Sequence, residues 1–424
     1  MTVTDATVLG SGLRVVTETV DSVESVCFAV SVATGSRHEN ARQAGWSHFI
    51  EHLLFRGTPS YSSAELDAAF DAMGGAVDAM TGRESTTLVV RASRPDAHTA
   101  LDLLLEMVSE PLLEDVEIER QVILEELAMI EDDPADRLSE AMSFAVFGGG
   151  PLGLPIAGTV ESVSSASRAD LVAFHQASYT TDRVTVAAAG SVDGAFVESA
   201  VSRRLSKLPG GGAPKNVPSP ATPGVPFDLE HPGEQVHIQI GSQGPGNESE
   251  DRFAMRVLDS VFGGAASSRL FRELRDRRGL AYDTGSFVSG ASGASEVGAY
   301  IATRPETAAE AAVALGEEVA RIRMEPPSTA EVEAAKRHLR GRYLLSRESM
   351  SERAAGMIGQ ITAGLDPLAV NEVLAGIDQV TTEDVAQLAQ RVFDPRYLHC
   401  GTVGPADGLA ARALASAQSG SLTA

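Results

Sequence analysis

The sequence predicts an α+β protein of two homologous domains, each a mostly antiparallel sheet with helices packed on one face. Three observations carry that expectation. A Pro/Gly-rich run at 207–226 divides the 424-residue chain nearly in half. Each half opens with strand-like sequence and continues with helical periods. Each half also closes on the same succession of capped helix, turn and strand, which indicates a duplication. The domains are therefore expected at 1–206 and 227–424, with 207–226 as the linker.

The elements follow in order. Val26, Phe28, Val30 and Val32 alternate with the smaller Cys27, Ala29 and Ser31, a period of two that reads as a strand. A helix through 48–55 comes next, then helical periods around 64–73 and 97–110 and a further helix over 115–131. From residue 163 a Ser/Thr-capped helix leads to Tyr179-Thr-Thr-Asp-Arg-Val and a strand ending Ala189-Gly-Ser-Val. The density of Pro and Gly at 207–226 cannot continue a helix or a central strand. In the second half a strand is expected at 236–240 and a helix at 252–262. Val380-Thr-Thr-Glu-Asp-Val then opens a helix that leads to Phe393-Asp-Pro-Arg-Tyr and a strand ending Val403-Gly-Pro. The last ten residues, 415–424, read as a frayed tail.

Composition narrows the function. A net charge of −24 argues against a nucleic-acid partner and leans toward cationic ligands. Two cysteines far apart, Cys27 and Cys400, exclude a cysteine-based metal site and predict a reducing, cytoplasmic setting. No apolar run is long enough to span a bilayer. Residues 1–13 lack a basic region followed by an apolar core, so no secretory signal is expected.

The most informative stretch is His48-Phe49-Ile50-Glu51-His52. Two imidazoles four residues apart share one helix face, with a carboxylate between them. This is the inverted His-x-x-Glu-His zinc pattern, with Glu51 as candidate general base. On the wheel, His48, Glu51, His52 and Phe55 share one side, while Phe49, Leu53, Ile50 and Leu54 cover the rest. A helix apolar on the rest of its circumference is buried, so its titratable face must be paired, hydrated or metal-bound. A hydrogen-bonded core histidine pair is the alternative. The second half has no such pair at the corresponding helix, where Phe253, Met255, Val257 and Leu258 stand, so the fold does not need it.

Catalytic zinc takes three protein ligands and an open position. In the helix over 115–131, Glu119 and Glu126 are seven residues apart and nearly eclipsed. They share a stripe with Val122, Ile123, Met129 and Ile130, which predicts that both carboxylates point inward. Either could face a metal.

The chain resembles the pitrilysin, insulin-degrading enzyme and mitochondrial processing peptidase family, closest to its bacterial processing-peptidase-like members. The resemblance spans almost the whole chain. It rests on Thr34-Gly-Ser-Arg-His-Glu, Gly45-Trp-Ser-His-Phe-Ile-Glu-His-Leu-Leu-Phe-Arg-Gly-Thr, Gly74-Gly-Ala-Val-Asp-Ala-Met-Thr-Gly-Arg-Glu, Val122-Ile-Leu-Glu-Glu-Leu and Leu274-Arg-Asp-Arg-Arg-Gly-Leu-Ala-Tyr282.

That resemblance implies one zinc per chain on His48, His52 and Glu126, with Glu119 supporting the ligands and Glu51 as base. It implies that Arg275 and Tyr282 bind substrate backbone and stabilise the transition state. It implies that an edge strand holding Ala76, Val77, Asp78 and Ala79 pairs with extended peptide. Asp78 departs from the family's usual Asn, and an ionised carboxylate donates no hydrogen bond. Family members of this length dimerise as a clamshell in which one chain's metal faces the other's Arg/Tyr pair. A homodimer that hydrolyses peptides or unfolded segments is therefore expected. The alternatives are a non-catalytic scaffold, a peptide-binding subunit, or a half-active subunit that needs a different partner chain.

Overall fold

In unit 1 a six-stranded sheet forms the frame. Its strands are β1 (Val3–Val8), β2 (Arg14–Thr19), β3 (Ser25–Val32), β4 (Ala76–Thr81), β5 (Thr86–Ser93) and β6 (Val184–Gly190). They lie in the order β1-β2-β6-β3-β5-β4. Only β2 and β6 run parallel; the other neighbours are antiparallel. The computed structural model describes residues 3–212, 216–405 and 407–419. Residues 213–215 of the expected linker and 420–424 of the expected tail lie outside the described residues.

Unit 2 repeats the frame with five strands. They are β7 (Pro226–Glu230), β8 (Val236–Gly244), β9 (Asp283–Gly290), β10 (Ser295–Thr303) and β11 (His399–Gly404), in the order β7-β11-β8-β10-β9. Again one pair, β7 and β11, is parallel and the rest antiparallel. Strand for strand this matches β2-β6-β3-β5-β4, so the duplication expected from the chain ends holds for the whole sheet. The closing helices, Arg168–Ser178 and Thr382–Val392, carry matching capping boxes at Ser167 and Thr381.

The α+β class and the mostly antiparallel sheets stand as expected, with one addition. Helices cover the second face of a sheet as well as the first. In unit 1, Ala354, Met357 and Ile358 of helix Met350–Thr362 pack on Val16, Cys27, Ala29, Ala187 and Ala189. This explains the pattern in β3: Cys27 and Ala29 are small because a helix lies on them, and both faces of the strand are buried. Buried Glu18 on β2 secures the same segment by ion pairs to Arg347 and Arg353.

The compact units consequently differ from contiguous halves. Unit 1 comprises Met1–Leu127, Leu154–Asn216 and Leu344–Ala369, and unit 2 comprises Ala128–Gly153, Val217–Tyr343 and Val370–Ala424. Each sheet exposes an apolar second face, and a helix from the other half of the sequence covers it. In unit 2 that helix is Pro134–Phe147, beneath which Gly241 and Gly401 leave room for Met142 and Leu138.

The described part of 207–226 holds no helix or strand before β7. The tail reading needs correction, because helix Leu409–Gln418 runs through residues 415–418. Its small residues make close packing: a Cβ on Gly316 would lie 2.3 Å from the Ala413 carbonyl. No helix among the described residues is long and apolar enough to cross a membrane.

Candidate metal centre

The motif occupies helix Trp46–Leu53. Phe49, Ile50, Leu53 and Leu54 are fully buried, while His48, Glu51, His52 and Phe55 are half-buried on the remaining face. The helix begins at Gly45 in the left-handed region, φ 83°, where a Cβ would meet the Ala157 carbonyl at 2.4 Å. Buried Glu39 caps it: its two oxygens accept from the Gly45 and Ser47 N–H groups at 2.7 and 2.6 Å. A carboxylate suits the partial positive charge of a helix N-terminus. Burial nevertheless pushes the Glu39 carboxyl up to about 7, against the bonds from Ser47 and Gly45.

Helix Val116–Asp132 brings the carboxylates. Glu119 is 3% exposed and accepts from His52 Nδ1–H at 2.8 Å, while its other oxygen pairs with Arg56. With that proton committed, His52 Nε2 presents a lone pair. It lies 3.3 Å from His48 Nε2 and 3.6 Å from Glu126 Oε2, and His48 Nε2 is also 3.6 Å from Glu126 Oε2. Among the described residues, this is the group whose donor atoms converge as metal ligands do.

The donor set fits zinc. Tetrahedral ligands with Zn–N and Zn–O distances of about 2.0–2.1 Å stand roughly 3.3–3.4 Å from one another. His48 Nε2 meets the His52 lone pair either as an N–H donor or, in the other tautomer, as a second lone pair; in the second case the two rings and the carboxylate repel unless a cation lies between them. Burial, and then neighbouring His52, lowers the His48 pKa to about 4, which keeps that ring neutral as a ligand must be.

The inward stripe on the carboxylate helix is only partly as expected. Glu119 and Ile123 are buried, but Val122 is exposed and Met129 is 70% exposed. The first segment of unit 1 ends at Leu127, and the turn after it, with Met129, belongs to unit 2. Glu126 itself is partly exposed, at the outer side of the cluster.

Glu51 faces the same space. Burial raises its carboxyl; a hydrogen bond from Thr81 Oγ1 opposes that, as does His52, while Asp78 and Glu126 add to the rise. Thr81 closes β4, the edge strand of the sheet, and pairs with Thr86. The sequence places Thr81 at the end of the expected edge strand, 75–81, but gives no sign of its bond to Glu51. Ala76, Val77, Asp78 and Ala79 lie on the same edge strand, with Ala76 and Asp78 exposed. Val77, Asp78 and Ala79 also line a cavity of about 430 Å³ that reaches Glu51 and His52.

Arg275 and Tyr282 belong to unit 2. Arg275 lies in a π-helical stretch, Phe271–Arg277, a rare form that is frequent at functional sites. Its guanidinium sits 4.5 Å from the Phe271 ring centroid and 4.7 Å from that of Tyr282. The Tyr282 ring is 83% exposed.

Residues 14–160 match the family model "Insulinase (Peptidase family M16)", and residues 165–339 match "Peptidase M16 inactive domain". An uncharacterized zinc protease of Mycobacterium tuberculosis is 37% identical over 403 residues, 92% of this chain and 91% of its own. The chain belongs to peptidase family M16. Its fold also matches solved M16-like structures. A peptidase M16 inactive domain from Pseudomonas fluorescens superposes with TM-score 0.89 at 19% identity, covering 95% of this chain and 98% of that one. A protease from Helicobacter pylori gives TM-score 0.87 at 21% identity, covering 95% and 100%. In this M16 chain the converging His48, His52 and Glu126 fall within the insulinase match, and Arg275 and Tyr282 within the inactive-domain match.

Proposed function

We propose that the protein is a zinc metalloendopeptidase of the inverted His-x-x-Glu-His type, acting on peptides or unfolded segments. Three donor atoms converging at 3.3–3.6 Å beside a half-buried glutamate carry this reading. His48, His52 and Glu126 hold one zinc per chain. Bound there, zinc polarises the scissile carbonyl and makes water acidic enough to attack near neutral pH.

The chain's own residues do the rest. Glu119 fixes the tautomer and ring orientation of His52. Glu51 takes the proton of the attacking water and hands it to the leaving amine. Thr81 holds the Glu51 carboxylate toward the substrate. The open edge of β4 at Ala76, Val77, Asp78 and Ala79 pairs with extended backbone, which demands little of the sequence being cut. Arg275 and Tyr282 donate to substrate backbone and to the developing oxyanion. A homodimer in which one chain's metal works with the other's Arg/Tyr pair fits the presence of both sets in one sequence. A reducing cytoplasm fits two free, buried cysteines.

A quenched fluorescent peptide assay on the single purified chain, with and without chelator, tests this. Hydrolysis that stops on chelation and returns with zinc is expected. A chain that binds peptide without cutting it, or cuts only when a different partner chain is added, contradicts the proposal.

A further inference from the structure

Resting on the reading of Glu51 as base, we propose that Thr86 and Tyr179 are positioning residues for it, the far end of a chain of buried hydroxyls that reaches the Glu51 carboxylate through Thr81. Thr81 and Thr86 face each other as the closing pair of the β4–β5 hairpin, on either side of the turn at 82–85. Directly opposed residues of neighbouring strands present their side chains on one face. Here the two hydroxyl oxygens are 3.4 Å apart, and Thr81 donates onward to Glu51. Thr86 is fully buried and also lies 3.2 Å from the Thr34 carbonyl.

Counting protons gives the chain its direction. An ionised carboxylate only accepts, and each hydroxyl has one proton to give. The Thr81 proton has two acceptors in reach, Glu51 and Thr86 Oγ1. When Thr86 donates to Thr81, the Thr81 proton is left with Glu51 alone. The Thr34 carbonyl competes for the Thr86 proton, so a further donor to Thr86 favours the aligned state. Tyr179 is that donor. Its hydroxyl is fully buried and meets no partner at ordinary bonding distance among the described residues, which leaves neighbouring Thr86 as the group it turns to. Burial, with the Glu51 charge, pushes its pKa up against the bond with Thr86, so the phenol keeps its proton. Valine and phenylalanine would fill the same space without the cost of buried hydroxyls. What the hydroxyls add is a row of dipoles ending on the base.

The test is a double-mutant cycle on the zinc-loaded full chain, reading kcat, KM and zinc content with one fluorescent peptide. Thr86→Val and Tyr179→Phe should each lower kcat about threefold, the scale of one neutral hydrogen bond, with KM and zinc content at the wild-type level. Thr86→Ser should restore the rate. Because Thr86 acts through Thr81, Thr86→Val should cost nothing further in a Thr81→Val chain, whereas independent effects would multiply. Wild-type kcat in Thr86→Val and Tyr179→Phe, a loss confined to KM or zinc content, no rescue by serine, or multiplied losses in the double variant overturns the chain. A zinc-loaded wild type that cuts no peptide instead overturns the reading of Glu51 as base, and the proposal with it.

Discussion

Glu119 Oε2 accepts from His52 Nδ1 at 2.8 Å, joining the carboxylate helix to the motif helix across 67 residues of sequence. The bond decides which ring nitrogen of His52 is free for a metal, because a neutral imidazole has one donor and one acceptor. It also explains why a carboxylate 3% exposed is tolerated: Arg56 and His52 both pair with it.

Glu119→Gln should therefore weaken metal retention without unfolding the chain. Partners of metal-bound histidines are typically worth about 10–100-fold in metal affinity. Competition against a fluorescent zinc chelator measures this. Wild-type affinity in the variant would show that Glu119 does not orient His52.

Thr81→Val should lower kcat about tenfold while leaving KM and zinc content near wild type. The substitution keeps the strand shape and removes the hydroxyl that donates to Glu51. Thr81→Ser should recover most of the rate. A KM effect with kcat intact would place Thr81 in substrate binding instead.

Glu39→Ala removes the acceptor of two buried N–H groups at the start of the motif helix. Loss of an N-terminal cap costs about 1–2 kcal/mol, and the orphaned donors add to it. Thermal unfolding of the two chains at neutral pH should show a lower Tm for the variant. An unchanged Tm would mean the helix is held by packing alone.

The motif helix was legible in sequence because its pattern is local. Which of its sides are buried follows from a wheel, and Phe49, Ile50 and Leu53 obey it. The duplication was legible from the chain ends because the capping signals at Ser167 and Thr381 are also local. Contacts across long separations were not legible. The wheel ranks Glu119 and Glu126 alike, yet one is buried against Arg56 and the other is partly exposed beside the two imidazoles. Nothing near Cys27 and Ala29 announces a helix from residues 350–362 on top of them, so the unit boundaries could not be read. The bond from Thr81 escaped notice for the same reason: it depends on Glu51, 30 residues earlier.

Burial lowers the His175 pKa from 6.5 to about 4, opposed by a bond with the Val108 backbone. The ring stacks on Tyr179, with centroids 4.1 Å apart, and its Nε2 has no partner among the described residues. The unfolded chain binds this proton more readily, so the contribution to stability is whole above pH 6.5 and is lost as pH falls toward 4. The loss amounts to about 3 kcal/mol. His175→Leu should melt with a smaller drop in Tm between pH 7 and about pH 4.5 than the wild type does. Parallel drops in both proteins would assign the acid sensitivity elsewhere.

The proposed chemistry depends on Glu51 acting as base beside a zinc held by His48, His52 and Glu126. Zinc content and peptide hydrolysis measured on the same preparations of wild type and Glu51→Gln test it most directly. About one zinc per chain is expected in both proteins, with hydrolysis in the wild type and a loss of at least about 100-fold in the variant. Zinc-free wild type that still cuts, or a Glu51→Gln variant that cuts at the wild-type rate, would contradict it.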